Sequence, residues 1–476
     1  MGGVIAGDAV RRALNDAADR TLVHWRDQAW SGAAIDAEVD RLAGFLQEAG
    51  PGAQVGLWYQ NSVWALIAHL AVERAGLTRV PVDPGAPADE ARAIWAAAGV
   101  ELVLGDSAHV AGLAGAVTYD DARTPGAAGP ARAVKVEDDT THLLFPRTVS
   151  SGGLLAIPIS YRGWAAHMAT NARLFGEGGY GPPVGPDDLL LTVQQLMHGT
   201  GLVATFPFLT MGIPQVIVDK FDADAVAEAA TRHRATTAFM VPGMVTRLAG
   251  WVEEHGSLPL RRIVYGGAPI TPEELRHALA HLGPVLTQIY GRLEGGWPLT
   301  VLGRAEHERI AAGEDDLLDS CGRAVAEVEL DIRPVENAGD DGGGELRVRG
   351  AMSSPAFTDP DGWCSLGDMA TVDGDGYVRL QGRLDGMINT GSYHVYPQEV
   401  EEAIRELLNV MDVAVSAVPD PKWGEAVLAT ITWPPDYRPP DDDALRSSLR
   451  TRLAPYKVPT RFSHSCNAST HGAAIQ

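Results

Sequence analysis

Three stretches of the chain carry side chains that could do chemistry, and their spacing narrows which chemistry. After the strand-like Thr141–Phe145 comes Pro146-Arg147-Thr148-Val149-Ser150-Ser151-Gly152-Gly153-Leu154-Leu155-Ala156, rich in hydroxyls and flexible backbone. Such a loop can cradle phosphate oxygens, although taken alone it is more often an ordinary connection. Tyr290-Gly291-Arg292-Leu293-Glu294 sets an aromatic ring and a carboxylate close together around a glycine. The third stretch reads Gly362-Trp363-Cys364-Ser365-Leu366-Gly367-Asp368, then Gly382-Arg383-Leu384-Asp385, then Thr390-Gly391-Ser392-Tyr393-His394-Val395-Tyr396-Pro397-Gln398-Glu399-Val400-Glu401. A carboxylate such as Asp368 can accept from two neighbouring hydroxyls at once. Cys321, Cys364 and Cys466 lie far apart, without metal-ligand spacing or a nucleophile's context, which fits a reducing compartment. The sequence points to no resident metal site.

These residues need elements to hold them. Val55–Tyr59, Arg79–Val82 and Glu101–Leu104 read as strands, with helices over Trp64–Ala75 and Ala86–Ala98 between them. The rhythm resumes with strands at Gln215–Val218, Thr237–Val241 and Arg262–Tyr265. A helix over Ala223–His233 follows Asp222, a good N-cap, and another begins near Pro272-Glu273-Glu274. Alternation of this kind implies parallel sheets covered by helices. Near residue 325 the texture changes to antiparallel strands at Glu327–Arg333, Glu345–Arg349 and Tyr377–Gln381, joined by Gly/Asp loops. In the tail, Val400, Ala403, Ile404, Leu407 and Leu408 fall on one face of a helix over Gln398–Leu408, and strands follow at Asp412–Val418 and Ala426–Trp433. The expected fold class is α/β. A large N-terminal domain (1–383) carries covered mixed or parallel sheets plus a small antiparallel β subdomain. A small α+β C-terminal domain (384–476) follows.

Length and charge set the outer bounds. The 476 residues are enough for two or more well-filled cores. With 45% hydrophobic and 21% charged residues, the composition is that of a globular protein. Lys and Arg total 38 against 61 Asp and Glu, a net charge of −23. That balance argues against nucleic acid and against anionic membranes as partners. No apolar run reaches the roughly 18 residues a membrane span needs. The amino-terminal segment turns polar too early for a signal peptide, so a cytoplasmic location is expected.

Taken in order, the motifs resemble the adenylate-forming enzymes: acyl- and aryl-CoA ligases, luciferases and peptide-synthetase adenylation domains. The resemblance covers nearly the whole chain. It implies two half-reactions. A carboxylic acid and ATP give an acyl-adenylate and pyrophosphate; the small domain then swings about a hinge, and the CoA thiol displaces AMP. On the adenosine side the residue types match. Asp368 and Arg383 would hold the ribose, and Tyr290, with Gly291, would lie against the adenine. Gly266, Gly267 and Ala268 would let backbone approach the nucleotide. Glu294 matches the family's Mg²⁺ ligand, although a capping carboxylate is an equal reading, so Mg²⁺ is left open.

On the phosphate side the match fails at three places. Leu155 stands at the lysine position of the Ser/Gly loop, and Leu293 where the family has a threonine. Ala473 stands where the C-terminal adenylation lysine belongs. The thioester half is better kept: Asp385 as hinge, Gly391, Ser392 and Tyr393 along the pantetheine tunnel, and His198 at the gate beside the acyl pocket. Arg446, Arg450, Arg452, Lys457 and Arg461 form a basic stretch that reads as a CoA contact or, more simply, a solvated face. The resemblance therefore implies a non-adenylating acyl-CoA ligase. It would take a preformed acyl-adenylate from a separate adenylating enzyme, with CoA as co-substrate and AMP as product. Two alternatives stay open: a complete ligase in which Arg147, Lys457 or Arg461 replaces the missing lysines, and a silent AMP- or acyl-adenylate-binding protein. The apolar segments Phe206–Met211 and Gly295–Leu299 favour a hydrophobic acid. The Ala/Gly/Pro/Arg-rich composition is in keeping with secondary metabolism.

Overall fold

Short apolar runs bounded by capping residues become the elements of the first half. The run Val-Trp-Ala-Leu-Ile-Ala-His-Leu-Ala-Val-Glu-Arg forms the helix Val63–Arg74, started by Ser62, whose hydroxyl accepts from the Ala65 amide. Every residue of that helix is buried, as expected of one apolar on all sides. Asp222 caps Ala223–His233 by accepting from the Ala225 amide. Thr271 and Glu274 close a reciprocal capping box at the start of Pro272–Leu282. Pro242 ends the strand Thr237–Met240 and begins a second helix, Pro242–His255. The second role follows from proline's preset φ at a helix's first position.

The computed structural model describes residues 4–50, 52–120, 129–148, 154–335, 343–386, 388–390, 393–395, 397–420, 424–435, 437–453 and 457–466. It divides into two compact units. The first spans Met1–Glu329 and Val348–Cys364, the second Leu330–Arg347 and Ser365–Gln476. Among the described residues no helix is long and apolar enough to cross a membrane.

The first unit holds two large sheets. The six-stranded one runs in the order Leu154–Ser160, Thr141–Thr148, Thr78–Pro81, Gln54–Trp58, Leu102–Gly105, Ala116–Thr118. Its first pair is antiparallel and the remainder parallel. The nine-stranded sheet is parallel from Leu286–Arg292 through Arg262–Gly266, Thr237–Met240, Leu190–Thr192 and Gln215–Ile217 to Thr21–Trp25, with antiparallel edges. The six-stranded sheet carries a buried polar island. Arg79 is fully buried, its guanidinium bonded to His142, 3.4 Å from His69 Nδ1 and 4.9 Å over the Trp164 ring. Burial drives both histidines well below their ordinary pKa, so they remain neutral beside the cation.

The second unit contains most of a four-stranded sheet, ordered Glu329–Pro334, Gly344–Arg349, Cys364–Val372, Val378–Arg383. A further sheet runs Tyr393–Val395, Ile388–Thr390, Gly424–Trp433, Asp412–Asp420, with Arg461–Cys466 parallel to Gly424–Trp433. The helix Pro397–Leu407 lays Val400, Ala403 and Ile404 into the core that also holds Ile431, Trp433 and Leu445. Leu407 departs from the expected face: it is exposed, while Leu408, just past the helix end, packs partly against the core.

Candidate functional site

In the first unit, the strand Arg262–Gly266 ends in the Gly266-Gly267-Ala268-Pro269 loop. A Cβ on Gly266 would collide with the Ile289 carbonyl of the neighbouring strand, so glycine is required there. Gly267 has φ +88, and its Cβ would lie 3.3 Å from Thr200 Cγ2. The loop therefore rests against the first turn of the helix Gly199–Thr210, which His198 precedes as N-cap.

The strand Leu286–Arg292 brings Tyr290 and Gly291 to the same region. Its pairing with Gly296–Leu302 shifts register between Tyr290 and Arg292, and a Cβ on Gly291 would sit 2.7 Å from Trp297 Cβ. This tight return carries Leu293 and Glu294. Tyr290 and Glu294 are buried, and Glu294 lies 3.7 Å from Arg292 Nε.

Leu293 packs where the return meets the helix. A Cβ on Gly199 would be 3.2 Å from Leu293 Cδ2 and 3.7 Å from both Phe145 and Trp297. Phe145 comes from the strand Thr141–Thr148 and meets Trp297 with ring centroids 6.2 Å apart. Behind Trp297, His167 Nδ1 donates to its carbonyl at 2.5 Å, and burial lowers the His167 pKa to about 4. An apolar wall of Phe145, Leu293 and Trp297 thus faces a helix N-terminus, whose partial positive charge suits an anionic or carbonyl group.

His198 points its Nε2 at Asp83 Oδ2, 2.5 Å away, with both side chains about half exposed. Sequence reasoning missed Asp83, which lies 115 positions away with no local signal. It also missed the convergence of Phe145 and Trp297 on Gly199. Cys364 is inert: burial pushes its thiol to about 12, and its Sγ–H faces the Glu294 carbonyl at 3.3 Å.

In the second unit, Asp368 and Arg383 stand directly opposite on paired strands. Arg383 Nη1 donates to Asp368 Oδ1 at 3.1 Å and to the Leu366 carbonyl at 3.3 Å. Asp368 is buried. The pairing fixes both polar groups on one edge of the sheet. Asp385 lies in the 3₁₀ turn Leu384–Gly386 immediately after that strand. Thr390 and Tyr393 are paired partners, whereas Gly391, Ser392 and Ala473 lie outside the described residues. Leu155 pairs with Arg147 along the backbone, and most of the Ser/Gly loop that follows Arg147 also falls outside.

Two of the cations offered as substitutes for lysine are engaged. Lys457 Nζ lies 2.6 Å from Glu399, and Arg461 lies 3.7 Å from Asp420. Arg446 and Arg452 pair with Asp443 and Glu406. This is the ordinary arrangement of a solvated face rather than a basic groove.

Comparison with known proteins agrees with this geometry. The AMP-binding enzyme family matches residues 10–149 and 156–356, and the AMP-binding enzyme C-terminal domain matches 399–467. Feruloyl-CoA synthase of Amycolatopsis sp is 34% identical over 295 residues, covering 60% of each chain. Indoleacetate–CoA ligase of Aromatoleum aromaticum is 33% identical over 293 residues, covering 57% of this chain and 54% of that one. The match thus spans about 60% or less of these relatives' lengths. Among solved structures, amide bond synthetase from Marinactinospora thermotolerans superposes with TM-score 0.81 at 28% identity, covering 96% of this chain and 95% of that one. The o-succinylbenzoate-CoA synthetase of Bacillus subtilis, with its acyl-adenylate, shares the fold at TM-score 0.82 and 21% identity, covering 97% and 95%. With both family regions matched in order, and the glycine loop, the tyrosine return and the Asp–Arg pair each formed on its own unit, the chain belongs to the AMP-binding, adenylate-forming enzyme family.

Proposed function

We propose that this protein catalyses only the second half of the acyl-CoA ligase reaction. The CoA sulfur attacks the carbonyl carbon of a preformed acyl-adenylate, and the bond from that carbon to the phosphate oxygen breaks. The thiol proton is lost to solvent, leaving acyl-CoA and AMP. The observation that carries this reading is Leu293. An apolar side chain packs with Phe145 and Trp297 at the helix N-terminus, where the family has a phosphate-binding threonine. Loss of one such charge-stabilising contact costs about 10²–10³ in rate. Leu155 and Ala473 remove two more from the same step. Thiol attack on a mixed anhydride needs positioning more than charge neutralisation. Asp368 and Arg383 would hold the AMP part, and residues 384–476 would rotate at Asp385 to bring Gly391, Ser392 and Tyr393 to the thiol. Mg²⁺ enters no step of this half-reaction, and Glu294 already has Arg292 as a cationic neighbour. A separate adenylating enzyme would supply the adenylate, in the cytoplasm. The apolar wall favours a hydrophobic acyl group.

One observation favours a second acceptor. The likeness to an amide bond synthetase extends over 96% of the chain, so an amine in place of the CoA thiol is the alternative nucleophile. The test is to supply a panel of synthetic aryl- and alkyl-adenylates with CoA, or with an amine, and to supply the acids with ATP, Mg²⁺ and CoA in parallel. Thioester from adenylates alone supports the proposal, amide in its place transfers it to the amine, and thioester from free acids overturns the half-reaction reading.

A further inference from the structure

We propose that Glu253, His277 and His281 bind one divalent transition-metal ion of the Zn²⁺, Co²⁺ or Ni²⁺ class, which ties two helices of the first unit together. Among the described residues, this is the one group of three metal-ligating side chains whose ligand atoms come together, all within 4.8 Å of one another. His277 and His281 sit one turn apart on the helix Pro272–Leu282, so both imidazoles leave the same face. Their ring centroids are 4.6 Å apart. Glu253, on the adjoining helix Pro242–His255, brings a carboxylate oxygen 3.8 Å from His281 Nε2. Among the described residues no hydrogen bond takes up the ring nitrogens of either histidine.

Ligand atoms around a tetrahedral ion with bonds of about 2.0–2.1 Å stand roughly 3.3 Å apart. The three atoms must therefore close by up to about 1.5 Å. Glu253 is more than half exposed and His281 about a quarter, so small side-chain rotations suffice. Two imidazoles and one carboxylate select a borderline ion over Mg²⁺ or Ca²⁺. His281 and Glu253 both lie in the last turn of their helices, whose carbonyl ends carry partial negative charge that favours a cation. His281 stands nine residues along its helix from Pro272, a rise of roughly 14 Å, at the end opposite the one that follows the Gly266–Pro269 loop. The ion is a staple, remote from the acyl site, and its effect is on stability.

Tag-free, chelator-stripped protein titrated with CoCl₂ should give the visible absorption of tetrahedral Co²⁺, saturating at one ion per chain. Calorimetry with ZnCl₂ should show the same stoichiometry. Affinity should fall at least tenfold in His277→Ala and in His281→Ala, and the Zn²⁺-induced rise in Tm should vanish in both. Glu253→Gln, a surface change that leaves the fold alone, should weaken binding without abolishing it. Absence of saturable one-to-one binding would overturn the site. So would affinity unchanged in both histidine variants but lost in Cys466→Ser, which would locate the ion elsewhere.

Discussion

Asp368 and Arg383 are the residues where sequence and structure meet most directly. They are 15 positions apart in the chain, yet the register of two strands sets them face to face. Replacing Asp368 with Ala should weaken acyl-adenylate binding by about 1.5–3 kcal/mol, roughly ten- to a hundredfold in KM for thioester formation. An unchanged KM with a folded protein would remove Asp368 from the binding site. Ala473→Lys tests the phosphate side. Acid-dependent pyrophosphate exchange should remain far below that of a complete ligase, because Leu155 and Leu293 are still in place; robust exchange would contradict this. The facing of Asp368 and Arg383 was legible because each residue type stands at its expected spacing. The apolar wall was only partly so. Phe145, Gly199, Leu293 and Trp297 come from separate elements, and nothing local in the chain announces that they converge. Asp83 as the partner of His198 was invisible for the same reason.

At the scale of elements, local chemistry gave most boundaries to within a residue or two. Asp222 and Thr271 caps, with Pro242 between them, explain why the helices start where they do. Removing the Thr271 hydroxyl in Thr271→Ala should lower stability by about 1 kcal/mol, measured by urea denaturation. No loss would mean that the capping box contributes nothing. Periodicity placed both Leu407 and Leu408 on the buried face of Pro397–Leu407, whereas Leu407 faces solvent and Leu408, just past the helix end, packs partly against the core. Buried histidines give these elements a pH dependence. His307 Nδ1 donates to the Gly303 carbonyl at 2.7 Å, and its Nε2 lies 3.0 Å from the Tyr265 hydroxyl, which donates to Gln288 Oε1 at 3.3 Å. Burial lowers its pKa to about 4, as it does for His167. The folded state thus binds fewer protons than the unfolded one between about 6.5 and 4. Stability from each ring is complete above that window and falls as pH drops through it, by roughly 3 kcal/mol for a shift of about 2.5 units. His307→Gln, which keeps a polar side chain without titration, should flatten part of this acid loss. An identical pH slope would contradict the assignment.

Across the whole molecule, the acidic balance and the alternating strand–helix rhythm spoke for an α/β enzyme of small molecules, and the family match bears out the fold. The order of the nine-stranded sheet was not legible, because neighbouring strands such as Thr21–Trp25 and Gln215–Ile217 are far apart in sequence and pair only through tertiary packing. A working hinge belongs to this scale. Asp385→Pro, which stiffens the backbone after Arg383, should depress thioester formation from a preformed acyl-adenylate while leaving AMP affinity unchanged. Equal loss of both would mean a folding defect rather than arrested rotation. The central claim is that the chain uses an acyl-adenylate but does not make one. It is tested most directly by giving one preparation of the protein either a synthetic acyl-adenylate with CoA, or the matching free acid with ATP, Mg²⁺ and CoA, and measuring thioester and pyrophosphate. The expected result is thioester and AMP from the first mixture and neither thioester nor pyrophosphate from the second; comparable thioester from both would contradict it.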